Sequence, residues 1–126
     1  MVRRLRLSHR MRKKYRLRTS ADFERLRQEG QTWVHPLLIL STLPNGLLYN
    51  RFGFIVGRRL GRATQRNRIK RRMREAVRLR IQKGEIVIGW DLVFVARYPI
   101  QQATFHQIYE AVGVLMRRAG LISEGT

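Results

Sequence analysis

The sequence contains no cysteine. That excludes a disulfide framework, a thiolate metal site and a cysteine nucleophile. It is also poor in acids, with eight Asp and Glu against 27 Lys and Arg. Those acids are Asp22, Glu24, Glu29, Glu75, Glu85, Asp91, Glu110 and Glu124. None forms the DxD or ExD array that holds paired Mg²⁺ ions. The three histidines, His9, His35 and His106, share no ligand spacing. Phosphate loops are missing too: Gly53 and Gly57 run into Arg58-Arg59-Leu60-Gly61, which is neither a Walker A motif nor a G-x-G-x-x-G loop. No apolar run approaches the ~18 residues of a membrane span, and no signal-peptide core follows the basic start. The expectation is a soluble cytoplasmic protein with no membrane contact and no hydrolytic side chains of its own.

What is present is positive charge. The chain has 126 residues, a net charge of +19 and 44% hydrophobic residues. That is enough apolar material for one domain with a modest core. Self-repulsion of this size opposes a compact monomer, and a polyanion relieves it by releasing counterions.

The charge is densest from Arg58 to Arg80, where eleven Lys and Arg accompany one acid, Glu75. Ile69, Met73, Ala76 and Val77 recur at helical spacing and predict a helix over about 64–82. Asn67, Arg71, Arg74 and Arg78 fall on the opposite face. Lys70/Arg74, Arg74/Arg78 and Arg68/Arg72 are like-charge pairs one turn apart, each mildly destabilising. Ten of the eleven cations are Arg, whose planar fork matches phosphate oxygens and stacks on bases. A merely solvated face would mix in acids. An anionic membrane would need a wider apolar face than this narrow keel. The helix therefore reads as a polyanion site, and Gly84 is placed to end it in a left-handed turn.

Residues 1–14 form a basic arm expected to be flexible, 15–121 a single RNA-binding α+β domain, and 122–126 a tail. Thr19 and Ser20 are N-cap residues for a short helix over 21–29 that Gly30 ends, with Phe23 and Leu26 on one face. Leu37–Leu43 reads as a strand, with Pro36 suggesting a sheet edge or a bulge. Pro44-Asn45-Gly46 is a turn. Arg51–Val56 alternates as a second strand, and Gly53 and Gly57 leave room for close packing against it. Glu85–Ile88 is a candidate extended piece and Leu92–Ala96 a buried strand. Thr104 and Gln107 make a capping box for a last amphipathic helix that Gly120 stops. The order helix, two or three strands, helix, strand, helix predicts a single-domain α-β sandwich with helices packed on a small sheet. Phe23, Tyr15, Trp33 and Tyr98 are candidate stacking surfaces for single-stranded RNA.

Arg66-Asn67-Arg68-Ile69-Lys70-Arg71, preceded by Gly53-Phe-Ile-Val-Gly-Arg-Arg59, closely resembles the protein subunit of bacterial ribonuclease P. So do Arg16-Leu17-Arg18 running into Asp22-Phe23, and Asp91-Leu-Val-Phe-Val-Ala-Arg97 before the C-terminal helix. The resemblance covers roughly residues 15–119. It implies a fold related to domain 2 of ribosomal protein S5, with the basic helix in a left-handed crossover between parallel strands. It implies endonucleolytic removal of the 5′ leader of precursor tRNA by an RNA subunit that is the catalyst and holds the Mg²⁺. The protein would have no catalytic and no metal-binding residues, and no obligate protein partner. The resemblance assigns contact with the catalytic RNA to Arg66, Asn67 and Arg68, continued by Lys70, Arg71, Arg74 and Arg78 and flanked by Arg58, Arg59 and Arg62. It assigns the single-stranded leader to a cleft between the sheet and the first helix, with Arg16, Phe23, Arg27 and Arg97. The family pattern often has a second aromatic one turn after Phe23, where this chain has Arg27. The alternative reading is a ribosomal or chaperone-like RNA-binding protein without a role in catalysis.

Overall fold

The computed structural model describes residues 13–84 and 86–122. Most of the basic arm, Glu85 and most of the C-terminal tail lie outside the described residues. Three α-helices and one four-stranded sheet make up the fold: α1 (Ser20–Glu29), β1 (Gln31–Val34), β2 (Leu38–Pro44), β3 (Arg51–Ile55), α2 (Ala63–Lys83), β4 (Trp90–Ala96) and α3 (Phe105–Arg118). The sheet order is β1-β2-β4-β3. β1 and β4 pair antiparallel with β2, while β3 and β4 run parallel. The parallel pair needs a crossover, and α2 supplies it.

The sheet divides two apolar clusters. Alternation along β2, β3 and β4 sends Leu38, Leu40, Phe52, Leu92 and Phe94 into the larger core, with the buried faces of α2 and α3. The other face carries Leu17, Leu26 and Val93, with Phe23, Ile55 and Val95 packed against them. The long basic helix thus lies on one side of the sheet and α1 on the other, an α+β sandwich as expected.

The helix keel is as predicted: Ile69, Met73, Ala76, Val77 and, one turn on, Ile81 are buried. Local capping also agrees. The Asp22 amide donates to Thr19 Oγ1 at 3.1 Å. Thr104 and Gln107 exchange bonds of 2.9 and 3.1 Å at the start of α3, which Gly120 follows at φ 74°.

Three expectations need correction. Gly84 follows α2 in an extended conformation, φ −140° and ψ −171°, so the helix ends without a left-handed turn. Pro36 sits in the turn between β1 and β2, and the strand it precedes lies inside the sheet. Gly57 has nothing near where a Cβ would project, whereas Gly53 does serve close packing: a Cβ there would meet Phe23 Cε1 at 2.6 Å. From the Glu85–Ile88 piece, Ile86 makes an isolated antiparallel bridge to Ile122.

Candidate nucleic-acid interface

Asp91, the second residue of β4, has no exposure. Burying a carboxylate is costly unless donors surround it. Arg51 supplies two, Nε to Oδ1 and Nη2 to Oδ2, both at 2.8 Å. Arg25 adds a bond of 3.0 Å from α1, and Asn45 Nδ2 one of 2.9 Å from the turn after β2. Burial alone would push this carboxyl up, but the Arg51 and Asn45 hydrogen bonds and the nearby guanidinium charges outweigh it and hold the pKa below the usual value. The network ties α1 to the sheet and so sets the width of the space between them.

That space is a hollow of about 260 Å³, lined by Ser20, Phe23 and Arg27 from α1 and by Ser41, Ile55, Val93 and Val95 from the sheet. Phe23 is half-buried, its ring seated over Gly53. Arg27 is exposed at the rim, and its guanidinium pairs with Glu24 at 3.1 Å. The hollow presents an aromatic face, an apolar floor and a cation. Arg16 and Arg97 are not among its lining residues. Arg16 forms a parallel bridge with Phe52 and lies near enough to Arg74 to help depress that guanidinium's pKa. Arg97, one residue past β4, donates from Nη1 to the His35 carbonyl at 3.1 Å. Among the other aromatic candidates, Tyr98 is 61% exposed, Trp33 packs against the main core, and Tyr15 makes an edge contact of 5.5 Å with Tyr49.

On the opposite side of the sheet, the cations of α2 divide into two groups. Some are used inside the molecule. Arg66 Nε donates to the Gly61 carbonyl at 3.1 Å. Arg74 lies half-buried over the Phe54 ring, 5.8 Å from its centroid, with its pKa lowered by burial and by Arg16. Arg78 pairs with Glu75 through Nε at 3.0 Å. Arg80, which the sequence reading did not single out, stacks 3.8 Å from the centroid of Tyr109 and donates to its carbonyl. The rest face outward. Arg58 and Arg59 form a 3₁₀ turn before the helix, and with Arg62, Asn67, Arg68 and Arg71 they are exposed. Among the described residues none of these five arginines, Arg58, Arg59, Arg62, Arg68 and Arg71, pairs with a carboxylate. Lys70 is half-buried beside them. Such a row of unpaired guanidinium forks, held on the helix and on the short turn that leads into it, is suited to phosphate oxygens at successive positions.

No group of three His, Asp or Glu among the described residues is arranged to hold a metal ion. Asp91 has both oxygens engaged by Arg51, Arg25 and Asn45. Sequence reasoning missed Arg25, Arg51 and Asn45, the residues that brace the hollow. Only an acid near the start of a buried strand, Asp91, hinted at them.

Comparison with known proteins agrees with this fold. The family model described as Ribonuclease P matches residues 11–120. The ribonuclease P protein component of Roseiflexus castenholzii is 46% identical over 113 residues, covering 89% of this chain and 91% of that protein. That of Chloroflexus aurantiacus is 44% identical over 117 residues, covering 92% and 85%. Among solved structures, the RNase P protein of Staphylococcus aureus superposes with a TM-score of 0.77 at 29% identity, covering 86% of this chain and 98% of that one. The RNase P protein from Thermotoga maritima gives 0.72 at 31% identity, covering 81% and 96%. With a shared fold and a family match spanning almost all of the described residues, the chain belongs to the ribonuclease P protein family.

Proposed function

We propose that the chain, as a ribonuclease P protein component serving tRNA 5′ processing with RNA, divides its two faces between two RNAs. The outward arginines of the α2 region, Arg58, Arg59, Arg62, Arg68 and Arg71 with Asn67 and Lys70, grip phosphates of the catalytic RNA. The hollow under α1 takes the single-stranded 5′ leader of precursor tRNA, with a base against Phe23 and Arg27 on its phosphate or ring. The Mg²⁺ and the bond cleavage belong to the RNA, and the setting is the cytoplasm. The leader contact adds binding energy that mature tRNA does not return, so precursor is held in preference to product. Stacking of one base contributes roughly 1–3 kcal/mol.

The observation that carries this reading is that Arg58 and Arg59 in the turn before α2, and Arg68 and Arg71 on the helix itself, are exposed and pair with no carboxylate among the described residues. Reconstitution with ribonuclease P RNA at low Mg²⁺ tests it. The expected result is stimulated cleavage at the mature 5′ end. Arg68→Ala should weaken binding to the catalytic RNA and reduce its salt slope by about one unit or less. Phe23→Ala should weaken precursor binding and leave assembly with the RNA intact. Binding of the RNA without any stimulation of cleavage would favour the chaperone-like alternative.

A further inference from the structure

Where the start of α2 meets α3 there is a second hollow, of about 360 Å³, separate from the one under α1. Its floor is apolar and belongs to the main core: Ile69, Ile100 and Ile108 are 8, 2 and 1% exposed. Its rim is polar, with Gln65, Gln101, Arg68 and Arg72. Two of the rim amides are already oriented. Gln65 Oε1 accepts from the Arg62 amide at 2.9 Å, which leaves its NH₂ as a donor. Gln101 Nε2 donates to the Leu60 carbonyl at 2.8 Å, which leaves its Oε1 as an acceptor. Arg72 makes only a long contact, 3.5 Å, to the Ala103 carbonyl, and Arg68 is exposed.

We infer that this hollow receives one unstacked nucleobase of the catalytic RNA. The inference rests on the functional reading above and gives that interface a base-specific component. Three features identify the occupant. An apolar floor favours a flat ring. A fixed donor and a fixed acceptor on one rim match the paired hydrogen-bonding edge of a base, as amide side chains do with adenine. Arg68 and Arg72 stand beside it, where the flanking phosphates of the same nucleotide would lie. The volume is near the lower end of the ~300–1,000 Å³ range of ligand pockets, which suits one nucleoside. The rim belongs to the same cationic surface as the α2 arginines, so the catalytic RNA is the strand that reaches it. Extruded bases in loops and bulges are what sequence-specific RNA recognition uses.

The test separates this from phosphate binding. Gln102 lines the same hollow and is exposed. Gln102→Trp fills the space with no change of charge. The variant is compared with the wild-type chain for affinity toward ribonuclease P RNA, salt slope, and base-by-base chemical protection of that RNA. The expected result is about five- to tenfold weaker binding, an unchanged salt slope, and loss of protection at one unpaired base while the backbone footprint persists. Gln101→Leu, which removes the acceptor without filling the hollow, should lose the same protection and carries the test if Gln102→Trp melts early by circular dichroism. Equal affinity and an identical protection pattern in either folded variant overturns the inference. Protection lost only on the precursor tRNA overturns it as well. If the wild-type chain itself fails to bind the RNA, the functional reading falls instead.

Discussion

Arg27 is where this chain differs from the aromatic often found one turn after Phe23, and it carries its own brake. Its guanidinium is held by Glu24 at 3.1 Å, and Gln28 holds the other oxygen of the same carboxylate at 3.0 Å. A bound leader must compete with that acid for Arg27 and must tolerate its negative charge at the rim. An exposed pair of this kind is worth at most about 1 kcal/mol. Glu24→Gln should therefore tighten precursor binding by roughly two- to fivefold, read as Kd for precursor against mature tRNA. An unchanged ratio would place the leader away from Arg27. Asp91 is the opposite case, an acid that the fold cannot lose. Asp91→Asn leaves Arg51 and Arg25 facing a neutral amide and should cost about 3–5 kcal/mol in denaturant unfolding. The sign of the pH effect follows from the lowered pKa of Asp91. Its stabilisation is complete above the unfolded carboxyl value of about 3.9 and fades as pH falls through the lower folded value. Acid unfolding of the Asn variant should lose that part of its pH dependence.

Among the elements, α1 and α2 both end at a glycine, yet the two glycines are there for different reasons. At Gly30 a Cβ would stand 2.5 Å from the Leu26 and Thr42 carbonyl oxygens, which are backbone atoms and cannot step aside. At Gly84 a Cβ would meet nothing within 4 Å, and φ is an ordinary −140°. Gly30→Ala should then destabilise by roughly 1–3 kcal/mol, as overpacking does. Gly84→Ala should be neutral or stabilise by about 0.4–1 kcal/mol by restricting the unfolded chain. Thermal melts of the pair check both, and equal losses would contradict the geometry. The same contrast explains how far the sequence was legible. Helical spacing finds the keel of α2 and capping pairs find the start of α3, because both signals are local. β1 escaped notice because Gln31–Val34 is a short edge strand with only Trp33 half-buried, so it has no apolar run to report. The like-charged face of α2 was visible, but not its division. Arg66, Arg74, Arg78 and Arg80 are occupied by Gly61, Phe54, Glu75 and Tyr109. Most of those partners come from outside the helix, and periodicity holds no information about them. Arg16 and Arg97 do not line the hollow under α1, for a related reason: strand parity and the end of β4 decide which way a residue faces, and neither is read from spacing.

For the whole molecule, the net charge of +19 acts with opposite sign on the free chain and on the complex. In the free chain the described acids pair with only a minority of the cations, and the remainder repel one another across a small fold. Shortening the Debye length from ~30 Å at 0.01 M salt to ~8 Å at 0.15 M weakens that repulsion. The free chain should melt at higher temperature in the saltier buffer. The complex responds the other way, because each phosphate contact releases counterions whose gain shrinks as salt rises. Arg58, Arg59, Arg68 and Arg71 by themselves, as four of the phosphate contacts, account for a roughly 50- to 150-fold fall in affinity for ribonuclease P RNA between 50 and 200 mM salt. Replacing all four with Gln should flatten the salt response of binding and, by removing repulsion, raise the melting temperature of the free chain at low salt. A quadruple variant that binds less well with an undiminished slope would move the phosphate contacts to other cations. One that melts lower would show that these arginines hold the fold together and do not stand free for RNA.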